Sequence, residues 1–141
     1  YCTPLGKSAK ENIIANRSLG REDFAGGVLA TANNVAQLCE NVTLVSTLGE
    51  KESHEEFIRA HLDRRITPSF IMRPDCVTTT KLRYVKHDDK VKIFEACRID
   101  DHPLASAEEE RALRVLEAEI PNYDLVVVND FGHGMLTGRL R

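Results

Sequence analysis

The sequence lacks the patterns of membrane-bound and nucleic-acid-binding proteins. It has no run of the roughly 18 to 20 apolar residues that a transmembrane helix requires, and residues 1–4 show no basic-then-apolar signal pattern. The formal net charge is −3 and the pI is about 6.0, which creates no positive field for nucleic acid or anionic lipid. We therefore expect a soluble, cytoplasmic protein with no nucleic-acid or membrane partner.

Metal, redox and nucleotide motifs are also missing. The four cysteines are never spaced C-x-x-C, which argues against a zinc knuckle or a thioredoxin-type pair, so we expect reduced thiols. Asp100, Asp101 and His102 would point to different sides of a strand, so we predict a solvated loop there and no metal site. Neither G-x-G-x-x-G nor G-x-x-x-x-G-K-[ST] occurs, which disfavours a nucleotide-binding α/β domain of another kind.

The composition is that of one ordinary globular domain. Of 141 residues, 42% are hydrophobic and 29% are charged, enough for a modest core. Three stretches have helical periodicity, and they are residues 28–39, 53–62 and 106–120. S-x-x-E sequences at Ser53 and Ser106 predict capping boxes for the second and third helix. In the third helix, the predicted buried stripe is Leu113, Leu116 and Ile120.

Strand patterns alternate with these helices. The β-branched run 42–46 predicts a strand that Gly49 ends, and the continuous apolar run 125–128 predicts a parallel strand covered on both faces. Residues 67–72, 78–86 and 90–96 predict three more strands, the last two joined by a polar turn. The chain is therefore α/β, with a small antiparallel patch in an otherwise alternating order.

Three short motifs could bind a ligand. Gly26 and Gly27 precede a helix, where free backbone amides could approach oxygen atoms, although a tight turn needs the same residues. Lys81 and Arg83 share one face of a strand and could grip a phosphate, or be solvated. Asp130 follows the apolar strand and could accept hydrogen bonds from a sugar hydroxyl, or cap the next helix.

The order of these features resembles the PfkB, or ribokinase-like, carbohydrate kinases. Within that family the chain looks most like the heptose 7-phosphate kinases, including the kinase domain of ADP-heptose synthases. The resemblance covers about residues 4–136 and implies a partial, mostly parallel sheet flanked by helices. It also implies a small antiparallel β lid with strands at about 11–18 and 67–97.

The resemblance implies roles for the matching residues on the acceptor side. Gly26 and Gly27 match the glycine pair that contacts the sugar, and Asn34 matches an asparagine in the helix behind it. Asp130 and Gly134 match the Asp-Tyr-x-x-Gly turn beside the sugar pocket. We expect Gly26, Gly27, Asn34 and Asp130 to orient a sugar or sugar phosphate.

The resemblance also implies an anion-binding strand in the lid. Thr80, Lys81 and Arg83 match the Thr-Lys-x-Arg strand that closes over the substrate in the heptose kinases. Three positions depart from the family pattern, and they are Ala30 for an asparagine, Phe131 for a tyrosine and His133 for a frequent lysine. The first departure leaves the identity of the sugar open.

No Gly-x-Gly-Asp segment occurs, and in the family this segment provides the catalytic base and binds the transferring phosphate. We therefore predict no catalytic residue here. Because the chain also begins without Met, we expect residues 1–141 to be an internal part of a kinase domain, without the nucleotide-binding part. The parent would use ATP and Mg²⁺, and the chain alone would be inactive. The alternative is a non-catalytic sugar-binding module, or a module that forms a homodimer through the β lid.

Overall fold

A computed structural model describes residues 1–140, so the last residue of the predicted segment 1–141 lies outside the described part. The chain is mixed α/β, with one parallel and two antiparallel strand pairs and flanking helices. It divides into two compact units, one formed by Tyr1–Phe24 and Thr80–Arg98, and the other by Ala25–Thr79 and Ile99–Arg141. None of the helices within residues 1–140 is long and apolar enough to cross a membrane.

The smaller unit consists of two β-hairpins. In the first, β1 (Cys2–Lys7) pairs antiparallel with β2 (Ile14–Ser18). In the second, β5 (Thr80–Val85) pairs antiparallel with β6 (Lys92–Arg98), which confirms the predicted antiparallel patch. The buried Cys2 joins the hairpins, because its carbonyl accepts a hydrogen bond from the amide of His87.

The larger unit is organised around the parallel pair of β3 (Val42–Lys51) and β4 (Ile66–Val77). Its helices are α1 (Val28–Val35), α2 (Glu55–Ala60) and α3 (Ser106–Glu119). Ala32 and Ala36, at and just after the end of α1, pack with Leu44 and Ile66 in one buried cluster. A second cluster joins Ile71, Leu104 and Ala112, where α3 packs against β4.

Both strands of the parallel pair are longer than predicted. The strand expected at 67–72 continues to Val77 and pairs in parallel with β3, whereas we expected it among the antiparallel lid strands. The strand β4 contains Pro74, which has no amide hydrogen to donate. It can do so because the register shifts between Gly49 and Lys51, and a bulge tolerates such a residue. Gly49 was predicted to end β3 and instead lies within it.

The helices α1 and α2 are shorter than their periodicity suggests, whereas α3 has nearly the predicted length. Residues 28–39 were predicted as a helix, but α1 ends at Val35 and continues as turns, with Leu38 88% exposed. The predicted capping boxes are displaced. The residue before α2 is His54, and Ser53 Oγ accepts a hydrogen bond from the amide of Glu55 at 3.4 Å. The residue before α3 is Ala105, so Glu108, and not Glu109, accepts from the amide that precedes the helix.

The outer part of α3 is more exposed than predicted. The stripe of Leu113, Leu116 and Ile120 lines an open groove instead of a buried core. The helix turns Glu108 and Ala112 inward, because Glu108 accepts a hydrogen bond from the amide of Ala105 at 2.8 Å and thereby sets where the helix begins.

The predicted parallel strand 125–128 is wrong for the described structure. These residues form no strand within residues 1–140, and Leu125 is 74% exposed. A continuous apolar run predicts a strand only if neighbouring strands and two covering layers are present. That condition cannot be read from the run itself.

Gly49 provides a test of the parallel pair. A Cβ atom there would lie 2.3 Å from the carbonyl carbon of Val77 and 2.4 Å from the carbonyl oxygen of Cys76. We predict that Gly49→Ala lowers the free energy of unfolding by about 1 to 3 kcal/mol, since backbone atoms must move. Chemical denaturation measures this. Gly138→Ala is the control, because no atom lies within 4 Å of its Cβ position; equal effects of the two substitutions would contradict the prediction.

Candidate functional site

The turn after residue 128 has a defined local geometry. Asp130 accepts a hydrogen bond from the amide of Gly132 through its Oδ1 atom, at 2.8 Å. Gly132 and Gly134 have φ angles of 71° and 79°, a backbone region that favours glycine. The carboxylate of Asp130 therefore shapes the turn in which it lies, which is close to the capping alternative except that no helix follows within residues 1–140.

This turn contacts the start of α1. The side-chain amide of Asn129 donates a hydrogen bond to Thr31 Oγ1 at 2.8 Å. The ring of Phe131 lies 4.0 Å from the position that a Cβ atom would occupy on Gly27. Two of the predicted motifs, the glycine pair and the Asp130 turn, are therefore neighbours in space. Sequence reasoning did not indicate the roles of Asn129 and Thr31 in joining them.

The glycine pair forms the entry to α1. Gly27 precedes the helix with φ 59° and ψ −132°, which only glycine adopts without strain. The carbonyl groups of Gly26 and Gly27 accept hydrogen bonds from the amides of Leu29 and Thr31, both at 3.2 Å. The structure therefore agrees with the tight-turn interpretation of these glycines. No atom lies within 4 Å of the Cβ position of Gly26, so the backbone there is accessible.

Asn34 is not brought to this neighbourhood. It lies two helical turns beyond Gly27, about 10 Å along the helix axis, at an exposed position. The adjacent Asn33 makes the structural contacts, because its side chain donates to the carbonyl of His61 at 2.9 Å and accepts from the amide of Asp63 at 2.8 Å. The sequence alone did not distinguish these two asparagines.

Lys81 and Arg83 lie on one face of the β5–β6 hairpin, as their spacing predicted. Lys81 is opposite Cys97, and Arg83 is opposite Glu95. The guanidinium of Arg83 donates a hydrogen bond to the carboxylate of Glu95 in a partly exposed ion pair. The hairpin register was the signal that could have identified this partner, because directly opposed residues share a face.

Glu95 also interacts with the next residue on its face. The thiol of Cys97 donates a hydrogen bond to Glu95 at 3.2 Å. This bond and the nearby Arg83 guanidinium hold the pKa of Glu95 below its usual value, and the same bond raises the pKa of the Cys97 thiol. An anion that binds Arg83 must therefore compete with a carboxylate that remains ionised.

One buried cation was not predicted at all. Arg73 of β4 donates hydrogen bonds to the carbonyl oxygens of Asp100 and His102, at 2.8 and 2.7 Å. Asp100 in turn accepts a hydrogen bond from the amide of Val77 at 2.7 Å. The segment 100–102, predicted as a solvated loop, is thus tied to the sheet. Among residues 1–140, no three His, Cys, Asp or Glu side chains are grouped to hold a metal ion.

The predicted residues fall into two groups, one in each compact unit. Gly26, Gly27, Asn34 and Asp130 belong to the larger unit, and Lys81 and Arg83 belong to the smaller one. Within the larger unit, Gly27 and Asp130 lie on contacting segments, and Asn34 does not join them.

Comparison with known proteins gives an independent line of evidence. No protein-family model matches the chain. The bifunctional protein HldE of Rhodopseudomonas palustris (strain BisA53) is 27% identical over 129 residues, which are 91% of this chain and 26% of that protein. The bifunctional protein HldE of Chromohalobacter salexigens is 28% identical over 117 residues, or 82% of this chain and 23% of that protein.

A relative with a single kinase name gives the same result. The D-beta-D-heptose 7-phosphate kinase of Bordetella bronchiseptica is 27% identical over 116 residues, which are 82% of this chain and 36% of that protein. The chain spans about a quarter of the length of the bifunctional relatives. The resemblance deduced from the glycine pair, the Thr-Lys-x-Arg strand and the Asp130 turn is therefore confirmed at the level of homology: the relatives of this chain are proteins of the heptose kinase group.

Proposed function

We propose that this chain provides the acceptor-binding and lid portion of an ATP-dependent kinase for heptose 7-phosphate or a closely related sugar phosphate. The observation that carries the proposal is similarity to proteins of the heptose kinase group over 91% of the chain for one relative and 82% for another. A sugar phosphate presents hydroxyl groups and a phosphate dianion. The larger unit, taken by itself, has groups suited to hydroxyls, and the smaller unit has groups suited to a phosphate.

The turn at Asp130, in the larger unit, suits sugar hydroxyl groups. A carboxylate accepts charge-assisted hydrogen bonds from hydroxyl groups, and the neighbouring Gly27 leaves the backbone at the start of α1 without a side chain. Phosphoryl transfer depends strongly on how the attacking hydroxyl is positioned. Gly26, Gly27 and Asp130 would provide that positioning, and Asn34, which lies away from them on α1, would not take part in it.

The charged face of the β5–β6 hairpin, in the smaller unit, suits a phosphate group. Lys81 and Arg83 point from the same face of β5, and a guanidinium can bind a phosphate through two hydrogen bonds. A phosphate dianion can displace the Glu95 carboxylate from Arg83, because it has more charge and more acceptor atoms. This exchange would favour phosphosugars over neutral sugars.

ATP and Mg²⁺ would serve the whole protein. When bound, Mg²⁺ would neutralise negative charge that develops during phosphoryl transfer. We assign no Mg²⁺ ligand to residues 1–140, where no three His, Cys, Asp or Glu side chains are grouped to hold a metal ion. We assign no catalytic base because the sequence has no Gly-x-Gly-Asp segment. The chain alone is therefore expected to bind its acceptor without turnover.

Calorimetric titration with heptose 7-phosphate, fructose 6-phosphate, ribose and ATP tests the proposal. We expect heptose 7-phosphate to bind and ATP not to bind. Asp130→Ala and Arg83→Ala should each weaken sugar-phosphate binding by about tenfold or more, since each removes a charged hydrogen-bond partner.

Control variants distinguish the loss of a binding residue from the general effect of removing a charge. Asp124→Ala and Arg17→Ala remove the same charges at exposed positions in the same two units, and we expect unchanged affinity. Failure of every sugar to bind to a chain that thermal unfolding shows to be folded would refute the acceptor-site assignment.

The competition between Glu95 and an anion for the Arg83 guanidinium leads to a separate prediction. Glu95→Gln should raise the affinity for inorganic phosphate by about twofold to fivefold, as expected for the loss of a partly exposed ion-pair partner. Asp88→Asn, which makes the same charge change at the tip of the hairpin, should have a smaller effect. Chemical shifts of the Arg83 Nε–H group in a phosphate titration would measure both affinities, and equal effects would mean that only net charge matters.

A specific observation favours a second function for the smaller unit. The face of the β5–β6 hairpin opposite the charged one is apolar, with Leu82 and Tyr84 facing Ala96 and Phe94 across the strands. Leu82, Tyr84 and Phe94 are at least two-fifths exposed. Exposed apolar surface of this kind is typical of interaction sites. A homodimer formed through the β lid, in a sugar-binding or purely structural module, would cover it.

Sedimentation of the chain over a range of concentrations tests this second function. We expect a dimer, and we expect Phe94→Asp to make it monomeric because a charge would be buried in the interface. Leu38→Asp, at an exposed apolar residue of the other unit, should leave the dimer intact. A wild-type chain that stays monomeric at all concentrations would exclude this function.

A further inference from the structure

The buried Arg73 has a contact pattern that simple stabilisation does not require. Its residue surface is only 6% exposed, and both terminal nitrogens donate to backbone carbonyl oxygens, those of Asp100 and His102. Its Nε atom is buried without a hydrogen-bond partner among the described residues. Burial of a cation is costly, so an apolar side chain would fill this place on β4 at a lower cost. What the arginine adds is a defined position for the backbone of residues 100–102.

That backbone segment is the surface on which the end of the Asp130 turn rests. A Cβ atom on Gly134 would lie 2.0 Å from the carbonyl oxygen of His102 and 2.8 Å from that of Asp101. The carbonyl of Gly134 accepts a hydrogen bond from the amide of Leu104 at 3.1 Å. The turn therefore fits against this segment at backbone contact distance, and a shift of one must move the other.

The carbonyl of His102 is shared between the two contacts. The same oxygen accepts from the Arg73 guanidinium at 2.7 Å and is the nearest atom to the position that a Cβ atom would occupy on Gly134. The turn also contacts the start of α1, through Asn129 and Phe131. A continuous set of contacts thus runs from the inside of the sheet to the carboxylate of Asp130.

We propose that Arg73 is a positioning residue for the Asp130 turn, acting through the backbone of residues 100–104. The proposal rests on the proposed function in so far as Asp130 binds a sugar phosphate, but the contact from Arg73 to the turn does not require a ligand. Arg73 itself touches no substrate in this scheme. It determines the position of the Asp130 turn and limits its movement.

The chemistry of arginine explains why this residue type is needed. Its planar guanidinium holds two donors in a fixed fork, which matches two carbonyl oxygens separated by one residue. The ammonium group of a lysine is a point charge without this geometry. We therefore expect Arg73→Lys to preserve the buried charge and to lose much of the positioning.

Hydrogen exchange of the unliganded chain tests the positioning directly. The amide of Leu104, which donates to Gly134, reports on the turn, and the amide of Val42, which donates to the carbonyl of Arg65 at 3.1 Å, reports on the other end of the parallel pair. In Arg73→Met and Arg73→Lys, the Leu104 amide should exchange about tenfold faster relative to Val42. Arg114→Met, at an exposed arginine of α3, should leave the ratio unchanged.

Two outcomes of this experiment would overturn the proposal. If the exchange of Leu104 and Val42 rises by the same factor, Arg73 stabilises the whole unit and positions nothing in particular. If neither changes, the turn does not depend on Arg73. The lysine variant retains the charge, so it keeps the test decisive if the methionine variant does not fold.

A double-mutant cycle connects the positioning to binding. Gly134→Ala displaces the turn from His102 while the arginine at position 73 is retained. Arg73→Lys and Gly134→Ala should each weaken heptose 7-phosphate binding by about tenfold. The double variant should bind no more weakly than the weaker-binding single variant. Fully additive effects would mean that the two residues act independently and would contradict the proposal.

The two measurements also separate this inference from the proposed function. If the wild-type chain binds no sugar phosphate, the proposed function fails, while the exchange of Leu104 still reports whether Arg73 holds the turn. If the sugar phosphate binds and Arg73→Lys changes neither exchange nor affinity, the proposed function stands and the positioning role is wrong.

Discussion

The parallel pairing of β3 with β4 is the constraint on which the larger unit depends. Leu44 and Ile66 of this pair pack with α1 in one buried cluster, and Ile71 packs with α3 in the other. At its carboxyl end the close approach of Gly49 to the backbone of Val77 allows the register shift. If the pair slipped by one residue, inward side chains would turn outward, and α1 and α3 would lose their packing surfaces together.

The same pair determines how the candidate site is supported. Ligands in α/β sheets bind beyond the carboxyl ends of parallel strands, and here Arg73 near that end of β4 holds the segment that leads into α3. The turn at Asp130 then rests on that segment and on the start of α1. In the proposed site, these contacts would fix the position of the side chains that touch a ligand.

In the smaller unit the two faces of one hairpin have opposite character. Strand alternation places Lys81 and Arg83 on one face and Leu82 and Tyr84 on the other. The charged face suits a phosphate and the apolar face suits another protein surface, so the two proposed roles do not compete for the same side chains. Because Arg83 forms an ion pair with Glu95, an incoming phosphate would have to replace that carboxylate to bind the guanidinium.

Local patterns in the sequence by themselves determined the α/β class, the β5–β6 hairpin, the common face of Lys81 and Arg83 and the resemblance to the heptose kinases, because period-2 alternation and short motifs depend only on neighbouring residues. Only the tertiary structure decided that β4 joins β3 in parallel, that Asn33 and not Asn34 makes the structural contacts, and that Arg73 is buried beneath the segment 100–102. It also left the apolar run 125–128 unpaired among the described residues. Pairing, burial and partner choice depend on residues far apart in the chain, so no local pattern contains them.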